Sequence, residues 1–420
     1  MTLITRRRLL ENAAKGGLAV GAGGLIAACG SSGSSSSSAA TTASQAPSGT
    51  PKHGGTLRAG LTGGSSSDTA DPNTIVNNTD YARAALLYEG LVWTNSQAQQ
   101  YNRLAEEMTP NKDATVWTIR LRSGVTFHNG KDVTADDLIF SINRVINPKS
   151  PGEAANALSG INAAGIKKLD NLTITVPFAK PYSTFPESLA NNITVYVLPV
   201  GFDPKNPIGT GPFKMAQFTP GQQTVLERFP NYWNAPLPYL DKIIMTDYSD
   251  ETSQVNALLS GQVDVVNLLS QDTVGTVTGS GKHVVISDGG GWNPFTMRVD
   301  QPPFTDVRVR QAFRMAVDRE AMLKTVFGGH GTLGNDIFGI WAPEYDHSIP
   351  QRQYDPEQAK SLLKAAGQEN LTITLVTGDI AQGVINMAQV YASQAAAAGI
   401  NAKLRQVTVT DFYGPNYLKW

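Results

Sequence analysis

Side chains able to make or break bonds are few and scattered in this chain. The five histidines, His53, His128, His283, His330 and His347, form no His-Glu-x-x-His motif and no close pair at metal-ligand spacing. Gly279-Ser280-Gly281-Lys282-His283 has the look of a phosphate-cradling loop. Thr276 stands where that pattern needs its first Gly, however, and His283 where it needs Ser or Thr, so the segment reads as a surface turn. The body contains no Gly-x-Ser-x-Gly elbow. The single cysteine, Cys29, lies close to the N-terminus, which leaves the body neither a disulfide nor a thiol nucleophile. Such a set favours recognition over catalysis. The segment best suited to recognition is Gly289-Gly290-Gly291-Trp292-Asn293-Pro294-Phe295. Three glycines allow another backbone to approach closely, and Trp292 offers a broad contact surface. Two readings stay open: a hinge with one core aromatic, or a cleft wall where a peptide backbone pairs with an exposed strand.

The N-terminus reads as an address. Arg6, Arg7 and Arg8 precede a small, apolar, glycine-rich stretch at 18–28. At 11 residues that stretch is too short for a bilayer span, which takes about 20 residues, and the layout is that of a signal peptide over residues 1–28. Thr5-Arg6-Arg7-Arg8-Leu9-Leu10 fits the twin-arginine export pattern, with Leu9 where Phe is commoner; an ordinary basic leader is the alternative. Leu25-Ile26-Ala27-Ala28-Cys29 resembles a bacterial lipobox, which makes Cys29 the candidate lipidation site. One acyl chain holds a membrane only marginally, so a stable anchor takes several. Residues 31–50 are nearly all Ser, Ala, Gly and Thr, too polar to order themselves, and 29–54 reads as a flexible tether. A lipid followed by a tether implies a globular body working near a membrane. With a formal net charge of −1 and no basic block beyond the leader, nucleic acid is not an expected partner.

The body, from about residue 51, is long enough for two or three domains. Residues 55–60 read as a first strand, followed by a polar loop ending in Asp71-Pro72-Asn73, and 81–91 have helical spacing. Residues 115–122 alternate strictly, with Trp117, Ile119 and Leu121 on one face. Asn129-Gly130 marks a tight turn. Thr134 is the cap of a helix with Asp136 and Asp137 in its first turn. Residues 172–176 and 239–246 are strands, 206–213 a rigid loop crossing between domains, and 254–259 a helix before a turn at Gly261. From Asp306 the pattern is α/β. Val309, Ala312, Phe313, Ala316 and Val317 share a helical face, Asp318 caps the next helix, and Asp355-Pro356 and Gly367 bound a third. Residues 371–376, 380–398 and 402–409 then make one β-α-β unit.

Several segments together resemble extracellular solute-binding protein family 5, the large substrate-binding proteins of peptide and nickel ABC importers. Trp117-Thr118-Ile119-Arg120-Leu121-Arg122-Ser123-Gly124-Val125-Thr126-Phe127-His128-Asn129-Gly130, followed by Val133-Thr134-Ala135-Asp136-Asp137-Leu138, is similar to the family's signature stretch. So are Gly209-Thr210-Gly211-Pro212, the Gly261-Gln262-Val263-Asp264 turn, Pro302-Pro303-Phe304-Thr305-Asp306-Val307-Arg308-Val309-Arg310-Gln311-Ala312, and Asp318-Arg319-Glu320. The resemblance implies an α/β, two-lobed fold of the periplasmic-binding-protein kind (type II, with the extra domain II). Domain I is expected at 55–93 and 206–288, domain II at 94–205 and domain III at 289–420. The family's Trp-x-x-Asp-Tyr segment, whose acid can hold a peptide's amino group, is not found, and the second lobe is expected to be incomplete, with Val407 and Val409 on an under-covered sheet edge.

The same resemblance implies that most signature residues, Trp117, Phe127 and Asp136 among them, are structural, and that ligand is buried between domains I and III. It places Asp71, Asn73, Trp292 and Asn293 on the facing edges. The expected role is capture of an oligopeptide or related solute for an ABC permease and its ATPase, on the outer face of the cytoplasmic membrane or in the periplasm, without cofactor, metal or turnover. A nickel-chelate or opine-like cargo is the alternative within binding, and a secreted lipoprotein hydrolase the alternative of another class.

Overall fold

A computed structural model describes residues 50–420 apart from 76, 96–98, 192–194, 287–290, 341–344, 379, 409–410 and 413–420. The expectations for residues 1–28, Cys29, most of the tether, Gly289, Gly290 and Val409 therefore lie outside the described residues.

In chain order the strands are β1 (Thr56–Thr62), β2 (Val92–Thr94), β3 (Gln100–Asn102), β4 (Ala105–Pro110), β5 (Val116–Leu121), β6 (Lys167–Lys168), β7 (Thr173–Pro177), β8 (Phe213–Thr219), β9 (Gln223–Arg228), β10 (Lys242–Tyr248), β11 (Val265–Val266), β12 (Thr372–Thr377) and β13 (Asn401–Gln406). The helices are α1 (Asn78–Leu87), α2 (Ala135–Val145), α3 (Phe185–Asn191), α4 (Glu251–Leu259), α5 (Gln271–Gly279), α6 (Val307–Met315), α7 (Arg319–Phe327), α8 (Pro356–Ala365) and α9 (Val384–Ala396).

Three bodies are built from these elements. The first is a five-stranded mixed sheet in the order β11-β1-β10-β9-β8, with α1 packed over it through Ala84 and Leu87. The second is the antiparallel sheet β4-β5-β7-β6. Its alternation follows the sequence: Trp117, Ile119 and Leu121 are buried and pack on Leu138, Ile142 and Val145 of α2. Thr134 starts that helix, its backbone N–H and hydroxyl both donating to Asp137 Oδ2 at 2.9 and 2.7 Å. Among the described residues, the buried ones of this core fall between 91 and 197. The third body joins α6, α7, α8 and α9 around Val309, Ala312, Phe313, Leu363 and Tyr391, with β12 and β13 paired in parallel.

Local departures from the sequence reading have local causes. The helix expected at 81–91 runs over Asn78–Leu87, because Asn77 caps it by accepting from Asp80 N. It ends at Leu87, with Tyr88 already extended, and the chain then pairs at Gly90 with Tyr196, where a Cβ on Gly90 would lie 2.9 Å from the Val195 carbonyl oxygen. The helix expected from 380 begins at Val384. Gly383 precedes it with φ 77°, and a Cβ there would lie 2.9 Å from Phe327. The strand expected at 402–409 is Asn401–Gln406, and Val407 donates its N–H to the Thr377 carbonyl. Residues 291–298 belong to no sheet. Among the described residues no helix is long and apolar enough to cross a membrane.

Candidate ligand-binding site

Parallel strands end together, and ligands of open α/β sheets bind beyond their carboxyl ends. β1 runs parallel to β10, from Thr56 against Lys242 to Thr62 against Tyr248, and parallel to β11 at Ala59 and Gly60. Thr62, Tyr248 and Asn267 therefore share one rim of the sheet. Asn267 ties the rim together: its Oδ1 accepts from Thr62 N at 3.2 Å and from Gln254 Nε2 at 2.5 Å. Gln254 is fully buried and also donates to the Gly60 carbonyl. The chain leaves the rim through Leu268, which is exposed and held at φ 49°.

The third body presents the carboxyl end of its own parallel pair to this rim. Gln382, in the turn after β12, donates from Nε2 to the Leu269 carbonyl. Gly328, which ends α7 at φ 60°, lies against the side chain of Gln271, so tightly that a Cβ would meet it at 2.5 Å. Strand ends of two separate sheets thus face each other around residues 268–271.

The connecting chain crosses from one body to the other. Val284 packs with the α4–α5 core, whereas Phe295 and Met297 pack on the third body. Trp292 lies on that crossing and remains 53% exposed, its ring edge-to-face with Phe338 at 4.8 Å between centroids. Phe338 is itself 64% exposed. The turn carrying it is rigidly held: Asp336, at φ 61°, accepts from Arg319 at 2.7 Å and Arg352 at 2.5 Å. Asn335 beside it donates to the Pro350 carbonyl and accepts from Arg352 N, both at 2.9 Å. Asn293 is exposed beside Trp292.

Asp71 and Asn73 are brought together elsewhere, on the second body. Arg144, near the end of α2, donates to Asp71 Oδ2 at 2.5 Å, and Asn73 Nδ2 donates to the Arg144 carbonyl at 3.2 Å. Both side chains thus hold the β1–α1 loop against α2.

The most conspicuous sequence motifs meet at a joint between the first two bodies. His128 N–H donates to the Gly209 carbonyl at 2.8 Å, His128 Nδ1 accepts from Gly209 N at 3.2 Å, and Nε2 reaches the Gly211 carbonyl at 3.0 Å. This pattern requires the neutral imidazole with its proton on Nε2. Burial pushes the His128 pKa down to about 4, with the Gly211 carbonyl acting against it. Both glycines lie across the end of α1, where a Cβ on Gly209 would stand 2.0 Å from the Leu87 carbonyl oxygen. Nearby, the buried Glu89 accepts from Arg103, Tyr232 and Trp233 Nε1. Burial raises its pKa against the pull of Arg103.

Sequence reasoning did not single out Phe338, Gln382 or the buried Arg83 with its carboxyl neighbours. The spacing of Asp80 and Arg83 on one helix was the only signal for the last; Asp68 joins them from a loop without pattern.

Residues 99–419 match the family model described as bacterial extracellular solute-binding proteins, family 5 Middle. The glutathione-binding protein GsiB of Escherichia coli K12 is 28% identical over 362 residues, spanning 83% of this chain and 68% of that protein. DppA of Helicobacter pylori, an ABC transporter-associated periplasmic binding protein solved with the peptide STSA, superposes with a TM-score of 0.70 at 22% identity, covering 87% of this chain and 76% of that one. The binding protein AgaA from A. tumefaciens R10, solved with agropinic acid, gives a TM-score of 0.67 at 27% identity, over 87% and 75%.

Proposed function

This chain belongs to the bacterial extracellular solute-binding proteins of family 5, is the substrate-binding component of an ABC importer, and, we propose, captures a short peptide or a closely related solute. The two-lobed binding-protein fold follows from the same likeness. The observation that carries the cargo reading is the pair of facing rims: strand ends of two sheets meet at Leu269 and Gln382, with Trp292 exposed on the crossing between them. Rim backbone and an aromatic face suit a peptide, whose recognition combines main-chain hydrogen bonds with apolar side-chain contact. GsiB, by name a glutathione binder, and DppA, solved with a peptide, support that class. An opine-like or nickel-chelate solute is the second reading; AgaA with agropinic acid favours a non-peptide cargo on the same fold. Incubating the full chain with a peptide pool and identifying retained species by mass spectrometry tests the assignment. Intact peptides, retained without cleavage, are expected. Retention of none would reject the peptide class, and release of fragments would favour a hydrolase.

In this reading Trp292 and Asn293 contact the ligand directly. Asp71 and Asn73 act from the β1–α1 loop by fixing its position. The chain is exported, anchored by lipid on Cys29, and works outside the cytoplasmic membrane. The single cysteine behind Leu25-Ile26-Ala27-Ala28 and before a Ser-rich stretch supports the anchor, and the Arg6-Arg7 pair supports the twin-arginine route. Cys29→Ala should release the protein from the membrane fraction; unchanged retention contradicts the anchor. Replacing Arg6 and Arg7 by Lys should block export, and normal export would assign the general secretory route.

A further inference from the structure

A buried polar cluster lies under the loop that follows β1. Arg83, with no exposed side-chain surface, donates from Nη1 to Asp80 Oδ1 at 2.5 Å and to the Thr69 carbonyl at 2.9 Å. Its Nε donates to Thr224 Oγ1 on β9 at 2.9 Å, and its guanidinium lies over the Phe218 ring, 4.2 Å from the centroid. The remaining nitrogen, Nη2, is 3.6 Å from Asp68 Oδ2. Asp68 fastens its own loop through Oδ1, which accepts from Ser65 N at 2.8 Å and Asn77 Nδ2 at 3.0 Å. A third carboxyl comes from Asp247 on β10, facing Asp68 on the loop and Thr79 and Arg83 on α1. The loop lies directly over it, since a Cβ on Gly64 would stand 2.5 Å from Asp247 Cγ.

Three carboxyls thus share one guanidinium. Asp80 accepts from Arg83 Nη1, whereas Nη2, 3.6 Å from Asp68 Oδ2, makes no hydrogen bond. Both Asp247 oxygens, Asp68 Oδ2 and the Thr79 hydroxyl are sealed from solvent without a hydrogen-bond partner. Leaving such a charge buried and uncompensated is costly, and either a cation or a proton would relieve it. Arg83 already fills the positive position, and among the described residues no group of three His, Cys, Asp or Glu is placed to hold a metal ion. A proton needs no further space.

We propose that Asp68 and Asp247 share one proton, and that this proton fastens residues 63–75 over the rim of the first sheet as a positioning device. The protonated Asp247 carboxyl donates to Asp68 Oδ2, which gives one Asp247 oxygen and Asp68 Oδ2 a partner each. That the fastened loop walls the ligand site rests on the function proposed above; the fastening itself does not. Burial pushes the Asp247 carboxyl up to about 6, with Asp68 adding to the rise and Arg83 opposing it. The sign follows: the closed loop binds a proton that the open loop gives up. Fastening is therefore full below the ordinary carboxyl range, near pH 4, and is lost as pH rises through about 6.

Segment-resolved hydrogen exchange on the full chain at pH 5 and pH 8, corrected for intrinsic rates, tests this. Protection of the loop should fall about tenfold between the two, as one linked proton requires, while β5 stays unchanged. Asp247→Asn, whose amide imitates the protonated acid, should hold the pH 5 level at both. Equal wild-type protection at both pH values overturns the proposal, as does a pH step that survives in Asp247→Asn or a failure of that variant to fold by circular dichroism. Restoration of protection at pH 8 by added Na⁺ or Ca²⁺ would assign the site to a cation and also overturn it. Peptide retention by both proteins, measured in parallel, separates the two claims: loss of all retention with the pH step intact refutes the function and leaves the fastening standing.

Discussion

The joint between the first two bodies and the crossing that carries Trp292 make opposite use of their side chains. At the joint, both ring nitrogens of His128 and both carboxylate oxygens of Glu89 are taken by neighbours in the same chain. Trp292 on the crossing and Phe338 against it keep more than half of their surface open, Phe338 on a turn that Asp336 and Asn335 hold in place. A satisfied cluster can only hold; an open, preorganised aromatic surface can still receive. The comparison teaches that the segments which announce the family by their pattern form the scaffold, and that the surface proposed for ligand carries little pattern.

The largest expected effect is at the joint. Gly209→Ala places a Cβ against the Leu87 carbonyl, which cannot move without breaking the end of α1. It should destabilise the protein by roughly 3 kcal/mol or more, read as a large drop in thermal midpoint. A shift of a degree or two would show that the loop does not cross α1 as described.

Next comes Trp292→Ala. Removing an aromatic from the centre of a binding surface should weaken ligand binding by about 2 kcal/mol, roughly thirtyfold, while the thermal midpoint barely moves. Wild-type affinity in calorimetry would remove Trp292 from the site, and a large stability loss would make it a core residue instead.

Acid should then separate the regions. His128 is held neutral with its pKa near 4, so the unfolded chain, whose His titrates near 6.5, binds the extra proton first. The stability contributed by neutral His128 is present above pH 6.5 and is lost as pH falls from there towards 4. His128→Gln should reduce that acid-side slope in a denaturation series. An unchanged slope would assign the acid sensitivity to other groups.

The smallest effect concerns Asp71. Its ion pair with Arg144 is partly exposed, so Asp71→Asn should cost about 1 kcal/mol or less in stability. If Asp71 also touches ligand, affinity falls with it. Unchanged affinity would limit its role to positioning the loop.

Much of the scaffold was legible in the sequence. The strict alternation around Trp117, Ile119 and Leu121 gives β5 its buried face, and Asp318, Asp355 and Thr134 each begin the helix they announce. These signals are local, being written in side-chain period and capping chemistry. The start of α9, which depends on tertiary packing, was not legible: Gly383 sets it through Phe327, distant in sequence. In the proposed site, Trp292 was visible as an aromatic beside glycines. Phe338 carries no pattern, and only folding brings it against Trp292 from 46 positions away. Asp71 stood out before a Pro, yet what holds it is Arg144, on an element the sequence does not connect to it.

The central claim is that ligand sits between the two facing rims and leaves the joint alone. Hydrogen exchange of the full chain with and without a retained peptide, resolved by segment, tests it most directly. The account predicts added protection at residues 266–271, at 291–298 and at the turn around Gln382, with none at Phe127, His128 or 209–211. Protection concentrated at the joint, with the rims unchanged, would contradict it.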